Sequence, residues 1–138
     1  MRAALWFPSP PSPEGDEPAR AALASVWLAH LSDQLEAEAH WEPVLSPGEL
    51  QRLAIAQTIL NGPAWLFLDE ATSAFDEAQE TAVYRTLAAS LPATTLVSIG
   101  HRAPLHSFHE RVISLARAAP HLNSKLSSIE LDRIATKR

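Results

Sequence analysis

The chain has 138 residues, of which 46% are hydrophobic and 20% are charged, with no cysteine and a formal net charge of −5. This length suits a single domain with one core. The absence of cysteine excludes disulfides, thiolate metal sites and cysteine nucleophiles. The negative charge argues against a protein that binds nucleic acid by neutralising phosphates. No apolar run approaches the roughly 20 residues that a membrane span needs, so we expect no direct membrane insertion.

Proline and charge divide the chain into three parts. Five of the eleven prolines lie in the segment 8–18, a density typical of an exposed, extended linker. Residues 117–138 have a net charge of +3, although the chain as a whole is acidic. We therefore predict a Pro-rich extended linker over 1–20, a folded body over 21–115 and a polar, basic tail over 116–138.

The helical patterns near the two ends of the chain are short. Asp16 offers an N-cap, and Pro18 lies near the first helical position. Apolar residues then recur at helical spacing, which predicts a first helix that runs to about His30. In the tail, a weak helical pattern covers residues 127–134.

A stronger helix signal begins at Ser46. Ser46 at the N-cap, Pro47 in the first turn and Glu49 three residues after the cap are typical of a capping box. The Gly-Pro pair at 62–63 predicts where this helix ends. The pattern is first of all a helix start. Such a terminus also presents free N–H groups and a positive dipole end to an anion, and Gly48 would let a phosphate approach the backbone.

The following segments alternate between strand and helix patterns. The apolar run 65–68 is typical of a strand buried on both faces of a parallel sheet. A helix is predicted from Asp76 to Pro92, and the β-branched, apolar run 94–99 predicts the next strand. A third strand is predicted over Arg111–Leu115. This alternation indicates an α/β fold with a mainly parallel sheet and flanking helices.

Polar side chains follow the first two predicted strands. Asp69 and Glu70 follow the first strand, and His101 comes just after the second. Ligands of parallel sheets bind beyond the carboxyl ends of the strands, so we expect these residues on one rim. Asp69 could hold Mg²⁺ through water while Glu70 activates a water, or both could simply begin a polar loop. His101 could donate to a phosphoryl oxygen, or it could be structural. A zinc site that adds His106 and His109 is less well supported than a solvated loop.

The order and spacing of four motifs resemble the ATPase domain of ABC transporters. Residues 45–49 resemble the signature loop, with Pro and Glu in place of the commoner Gly and Gln. Residues 66–69 resemble the Walker B strand, and Glu70 matches the catalytic glutamate. Residues 73–76 match the D-loop, and His101 matches the switch histidine. The flanking sequences VLSPGE and GHR-x-x-L-x-x-FHER resemble the subfamily that fuses membrane and ATPase halves, which includes peroxisomal acyl transporters and bacterial relatives.

The resemblance implies a P-loop NTPase (ABC ATPase) fold that binds ATP and Mg²⁺ and couples hydrolysis to transmembrane transport. It implies Glu70 and His101 as catalytic residues and Asp69 as a ligand of Mg²⁺ through water. The residues it implies for nucleotide binding are Ser46, Pro47, Gly48, Glu49 and Asp76. The implied partners are a membrane-spanning permease domain and a second ABC ATPase domain, with no nucleic acid. The implied location is the cytoplasmic face of a membrane.

The phosphate-binding motif of the family is absent from the sequence, as are the aromatic residue that stacks on adenine and the glutamine loop. The family holds the triphosphate in a G-x-x-x-x-G-K-[ST] loop, but neither Lys125 nor Lys137 follows a glycine. Leu50 and Gln57 also stand where the family usually has Gln and Arg. We therefore interpret the chain as the C-terminal half of an ATPase domain, with the N-terminal part of the fold missing.

This interpretation has two consequences. We expect the chain alone to be inactive as an ATPase, and we expect exposed strand edges and uncovered apolar faces at four residues of the sheet, which are Trp65, Phe67, Leu96 and Val97. Three functions stay open: a transporter ATPase that needs the missing half, a non-enzymatic partner that docks on a complete ABC ATPase domain, and a relative of the DNA-handling ABC ATPases. The acidic charge counts against the third.

Overall fold

A computed structural model describes residues 1–10, 16–38, 40–41, 43–100, 103–115 and 127–133. The elements in chain order are α1 (Arg2–Trp6), α2 (Glu17–Ser25), a 3₁₀ segment (Ala29–Gln34), α3 (Pro47–Asn61), β1 (Trp65–Asp69), α4 (Glu77–Ser90), β2 (Thr95–Gly100), a second 3₁₀ segment (Ala103–Phe108), β3 (Arg111–Leu115) and β4 (Ser127–Arg133).

The two longest helices begin at the predicted caps. The Ser46 hydroxyl accepts a hydrogen bond from the Glu49 N–H at 3.3 Å, and the Glu49 carboxylate accepts one from the Ser46 N–H at 2.9 Å. Asp76 and Gln79 form the same reciprocal pair at the start of α4, at 2.7 and 3.2 Å. Gly62 adopts a φ of 52° just after α3, the left-handed geometry that glycine takes without strain. The local sequence therefore determines where both helices begin.

The first predicted helix ends earlier than expected. Helix α2 stops at Ser25 rather than near His30, because Trp27 adopts a φ of 59°. The Trp27 N–H donates to the Ala24 carbonyl at 3.1 Å and the Leu28 N–H donates to the Leu23 carbonyl at 2.8 Å. These two bonds form a Schellman motif, which normally has glycine where this chain has Trp27.

The sheet is mixed rather than mainly parallel. Its strand order is β1-β2-β4-β3, and only β1 and β2 pair in parallel, while β4 runs antiparallel to both of its neighbours. The weak helix expected over 127–134 is wrong, because Ser127–Arg133 forms the strand β4. Strand β4 forms backbone hydrogen bonds on both sides. These bonds stabilise the strand more than the weak helical pattern stabilises a helix.

The core lies between the helices and one face of the sheet. Its largest fully buried apolar side chains are Leu5, Leu23, Leu28, Leu87, Leu96, Val26 and Val83. Helix α4 is fixed to the sheet by the Tyr84 hydroxyl, which lies 2.9 Å from the Ser98 hydroxyl in a buried contact. The linker predicted over 1–20 begins instead with α1, because Met1 and Leu5 are buried in this core.

Strand β1 lies at the edge of the sheet and exposes two aromatic side chains. Trp65 is 59% exposed and Phe67 is 70% exposed, and their rings stack at 6.5 Å. The expected exposure is therefore confirmed for these two residues. It is wrong for Leu96 and Val97, which are buried, since β2 lies inside the sheet between β1 and β4.

Candidate functional site

The N-terminus of α3 is exposed and electrostatically organised. Ser46 and Pro47 are exposed, and the Ser46 hydroxyl donates to the Glu49 carboxylate at 2.7 Å. Hydrogen bonds from Ser46 hold the pKa of Glu49 below its ordinary value. His30 Nε2 lies 3.4 Å from the other Glu49 oxygen. The Glu49 carboxylate is therefore engaged in capping the helix. Gly48 lies in the first turn, where backbone N–H groups have no partner within the helix.

Two adjacent exposed carboxylates, Asp69 and Glu70, begin the segment that leaves β1, which we name the 69–76 loop. Asp69 ends β1, and Glu70 follows with a φ of 45°. This left-handed geometry costs roughly 1–2 kcal/mol for a residue other than glycine. The Glu70 N–H donates to the Ile99 carbonyl at 3.1 Å, so the neighbouring strand holds the strained residue in place. Strain of this kind is concentrated at functional sites.

Buried contacts support the same loop from beneath. Thr72 is 4% exposed, and its hydroxyl donates to the carboxylate of Glu80 on α4, which is 2% exposed. A small cavity of about 120 Å³ lies beside Glu70 and is also lined by Thr72, Glu80 and Gly100. The cavity is large enough for a water molecule and has polar groups that could bind one.

Helix α3 is tied directly to the 69–76 loop. The Gln51 side chain donates to the Ser73 hydroxyl at 3.2 Å and accepts from the Ala74 N–H at 3.3 Å. The Arg52 guanidinium lies over the Phe75 ring, 5.8 Å from its centroid. Residues 46–49 and the loop that contains Asp76 therefore belong to one connected unit.

No motif in the sequence marks Gln51 and Arg52 as site residues. Their partners lie more than twenty residues later in the chain. The only local signal is that two long polar side chains occupy adjacent positions one turn after the capping box.

The candidate histidines differ in how far the structure describes them. His101 lies outside the described residues. His109 is largely buried, and its Nδ1 lies 2.9 Å from the Leu105 carbonyl oxygen. Within the described ranges, no group of three or more His, Asp or Glu side chains could hold a metal ion. Nor does any helix there have the length and apolar character to cross a membrane.

Comparisons with known proteins match this chain to one family. A family described as ABC transporter matches residues 11–73, which include α2, α3 and β1. An uncharacterized ABC transporter ATP-binding protein of Haemophilus influenzae is 43% identical over 115 residues, which make up 83% of this chain and 19% of that protein. The chloroplastic ABC transporter D family member 2 of Arabidopsis thaliana is 40% identical over 111 residues, 78% of this chain and 15% of that protein.

A third relative extends the match to a human protein. The lysosomal cobalamin transporter ABCD4 of Homo sapiens is 43% identical over 76 residues, 55% of this chain and 12% of that protein. The chain thus spans less than a fifth of each of these three relatives. Over the matched part of its length, the chain belongs to the ABC transporter ATP-binding family, and its relatives include members of the D family.

Proposed function

We propose that these residues supply the signature helix and the hydrolytic acid of an ATP-hydrolysing site in an ABC transporter. The observation that carries the proposal is the Gln51 bridge, which joins α3 to the 69–76 loop through Ser73 and Ala74. A movement of the α3 N-terminus would reach the loop through this bridge. Such a coupling is what an ATPase needs if it is to link nucleotide contact to hydrolysis and transport.

The donor groups present fit part of a Mg²⁺–ATP site. The family generally binds ATP and Mg²⁺. The exposed carboxylate of Asp69 can bind a water coordinated to Mg²⁺, because Mg²⁺ prefers oxygen ligands and keeps several waters. Glu70 beside it can take a proton from an attacking water. When bound, Mg²⁺ neutralises charge on the phosphates. The sequence has no G-x-x-x-x-G-K-[ST] loop, so residues outside this sequence would make the main contacts with the triphosphate.

Of the remaining predicted residues, some would contact the nucleotide and the others would support those contacts. Ser46 and Gly48 at the positive end of α3 would contact a phosphate bound on a second ATPase domain. Pro47 and Glu49 hold that helix end in shape, and Asp76 fixes the start of α4 beside it. His101 would donate a hydrogen bond to a phosphoryl oxygen.

The assembly partners follow from this arrangement. One partner is a second ABC ATPase domain that holds the nucleotide, and the other is a membrane-spanning permease domain that uses the energy. The site then lies at the cytoplasmic face of a membrane. In this reading, the 138 residues alone do not hydrolyse ATP.

The test is reconstitution of hydrolysis from two polypeptides. The chain is mixed with a polypeptide that carries the phosphate-loop half of an ABC ATPase domain, with its G-x-x-x-x-G-K-[ST] motif. We expect Mg²⁺-dependent ATP hydrolysis in the mixture only, and a loss of roughly 100-fold or more with Glu70→Gln, because a general base contributes at least that much.

Glu77→Gln, an exposed acid at the start of α4, is the matched control and should leave the rate unchanged. Hydrolysis by the chain alone, or full activity with Glu70→Gln, would contradict the proposal.

A second candidate is a non-enzymatic partner that docks on a complete ABC ATPase domain. The exposed rings of Trp65 and Phe67 on an edge strand favour it, since such a surface is typical of a protein contact. Added to a complete ATPase domain, the chain should bind it and change its hydrolysis rate even with Glu70→Gln. Binding that survives Trp65→Ser and Phe67→Ser together would argue against this surface.

A further inference from the structure

A buried carboxylate near the start of α4 lies beneath the candidate site. Glu80 is 2% exposed, and its carboxylate accepts a hydrogen bond from the Thr72 hydroxyl. Glutamate is almost never buried so completely, because the loss of hydration is costly unless hydrogen bonds replace it. An apolar side chain of similar size would fill the same space without that cost. An acid at this position is therefore understandable if its bond to Thr72 has a use.

Thr72 stands at the centre of the 69–76 loop. The Ser73 N–H donates to the Glu70 carbonyl at 2.9 Å. The Phe75 N–H donates to the Thr72 carbonyl at 3.0 Å. The loop thus consists of two overlapping turns that both include Thr72. Because the two turns share this residue, the bond between its hydroxyl and Glu80 holds both of them against α4.

The first of these turns fixes the strained backbone of Glu70. A residue other than glycine disfavours a φ of 45° and keeps it only while neighbouring contacts hold it. The Ile99 carbonyl holds the Glu70 N–H, and the Ser73 N–H holds the Glu70 carbonyl. A hydrogen bond to a charged acceptor is among the stronger ones in proteins, so the bond between Thr72 and Glu80 can offset the strain.

A cavity leaves space beside Glu70. Its volume is about 120 Å³, and Glu70, Thr72, Glu80 and Gly100 are among the residues that line it. Because this space is not filled by packed side chains, packing alone does not fix the acid. The hydrogen bonds of the 69–76 loop therefore determine the position of residue 70.

We propose that Glu80 is a positioning residue, which holds Glu70 in place through Thr72. The proposal rests on the function proposed above, in which Glu70 takes a proton from an attacking water. Glu80 itself touches neither the nucleotide nor that water. A displacement of about 1 Å at a reacting group can lower a rate roughly 100-fold. Loss of the bond between Thr72 and Glu80 should thus lower turnover without weakening ATP binding.

Hydrogen exchange measured on the chain alone tests the structural step without hydrolysis. Thr72→Val removes the hydroxyl and keeps the β-branched shape. The amides of Glu70 and Ser73 should then exchange at least roughly 10-fold faster, because the turn that joins them opens more readily. Thr72→Ser retains the hydroxyl and should restore slow exchange. Unchanged rates at both amides in Thr72→Val would overturn the proposal.

Two further variants make the result specific to Glu80. Glu80→Gln keeps the size of the side chain and a neutral acceptor for Thr72, so it should accelerate the same two amides by less than Thr72→Val does. The matched control Thr86→Val removes another hydroxyl of α4, which donates to the Ala82 carbonyl at 3.0 Å, and should leave both amides unchanged. Equal acceleration in Thr86→Val, or none in Glu80→Gln, would refute the role of Glu80.

Hydrolysis by the two-polypeptide mixture described above tests the consequence for Glu70. Thr72→Val should lower kcat roughly 10-fold or more and leave KM for ATP within about twofold, and Thr72→Ser should recover most of the rate. A raised KM at an unchanged kcat, or equal losses in Thr72→Val and Thr72→Ser, would overturn the proposal. No hydrolysis by the unmodified mixture would contradict the proposed function alone, and the exchange rates would still decide whether Glu80 positions Glu70.

Discussion

Replacing Trp27 by alanine and, separately, by glycine isolates the backbone cost of the residue that ends α2. Both variants lose the indole, so they differ in how they tolerate a φ of 59° and in the freedom of the unfolded chain. Alanine bears the left-handed cost of roughly 1–2 kcal/mol. Glycine avoids it but loses about 0.5–1 kcal/mol through the greater freedom of its unfolded chain. The glycine variant should therefore be more stable than the alanine variant by up to about 1.5 kcal/mol.

Urea denaturation followed by circular dichroism measures this difference directly. For a chain of 138 residues, a change of about 1 kcal/mol corresponds to a shift of about 3–5 °C in Tm. Trp27→Asn is a useful third variant, because asparagine tolerates left-handed geometry better than alanine and should fall between the two. An alanine variant that is more stable than the glycine variant would refute the reasoning, since it would mean that residue 27 is not held in a left-handed conformation.

Three further predictions concern single contacts. Tyr84→Phe removes the hydroxyl that lies 2.9 Å from Ser98 and should lower the free energy of unfolding by about 1–3 kcal/mol; adding Ser98→Ala should recover part of the loss in a double-mutant cycle. The pKa of Glu49 is lowered in the folded state, so its contribution to stability is present above its unfolded pKa and is lost as pH falls through the folded one. Glu49→Gln should therefore weaken the dependence of urea midpoints on pH below about 4. Gln51→Leu removes the acceptor of the Ala74 N–H and should speed hydrogen exchange at that amide without affecting the middle of α3; an unchanged rate would show that the bridge is not formed in solution.

Elements whose ends are set by neighbouring residues could be predicted from the sequence. The caps at Ser46 and Asp76 act within three residues, so the starts of α3 and α4 are confirmed. The strand predicted over Arg111–Leu115 is confirmed with the same bounds. Helix α2 ends early because Trp27 adopts a conformation that its residue type disfavours, and no local pattern indicates this.

Features that depend on distant partners could not be predicted. Strand β4 forms because β2 and β3 pair with it from both sides, and its own residues favour a strand only weakly. The same limit applies to the candidate site. Asp69 and Glu70 could be predicted as site residues because they come directly after an apolar strand. The contacts of Gln51 with Ser73 and Ala74 could not, because they depend on the three-dimensional arrangement of α3 and the loop.

The open edge of β1 affects how this polypeptide behaves in a crowded solution. Among the described residues no strand pairs with β1 on its outer side, and the only charged residue of β1 is Asp69, at its last position. Without lysine, proline or a bulge to discourage it, such an edge can add strands from other molecules. In a cell, chains that had found no cover for Trp65 and Phe67 would become targets for chaperones and proteases, and this quality control would limit their abundance.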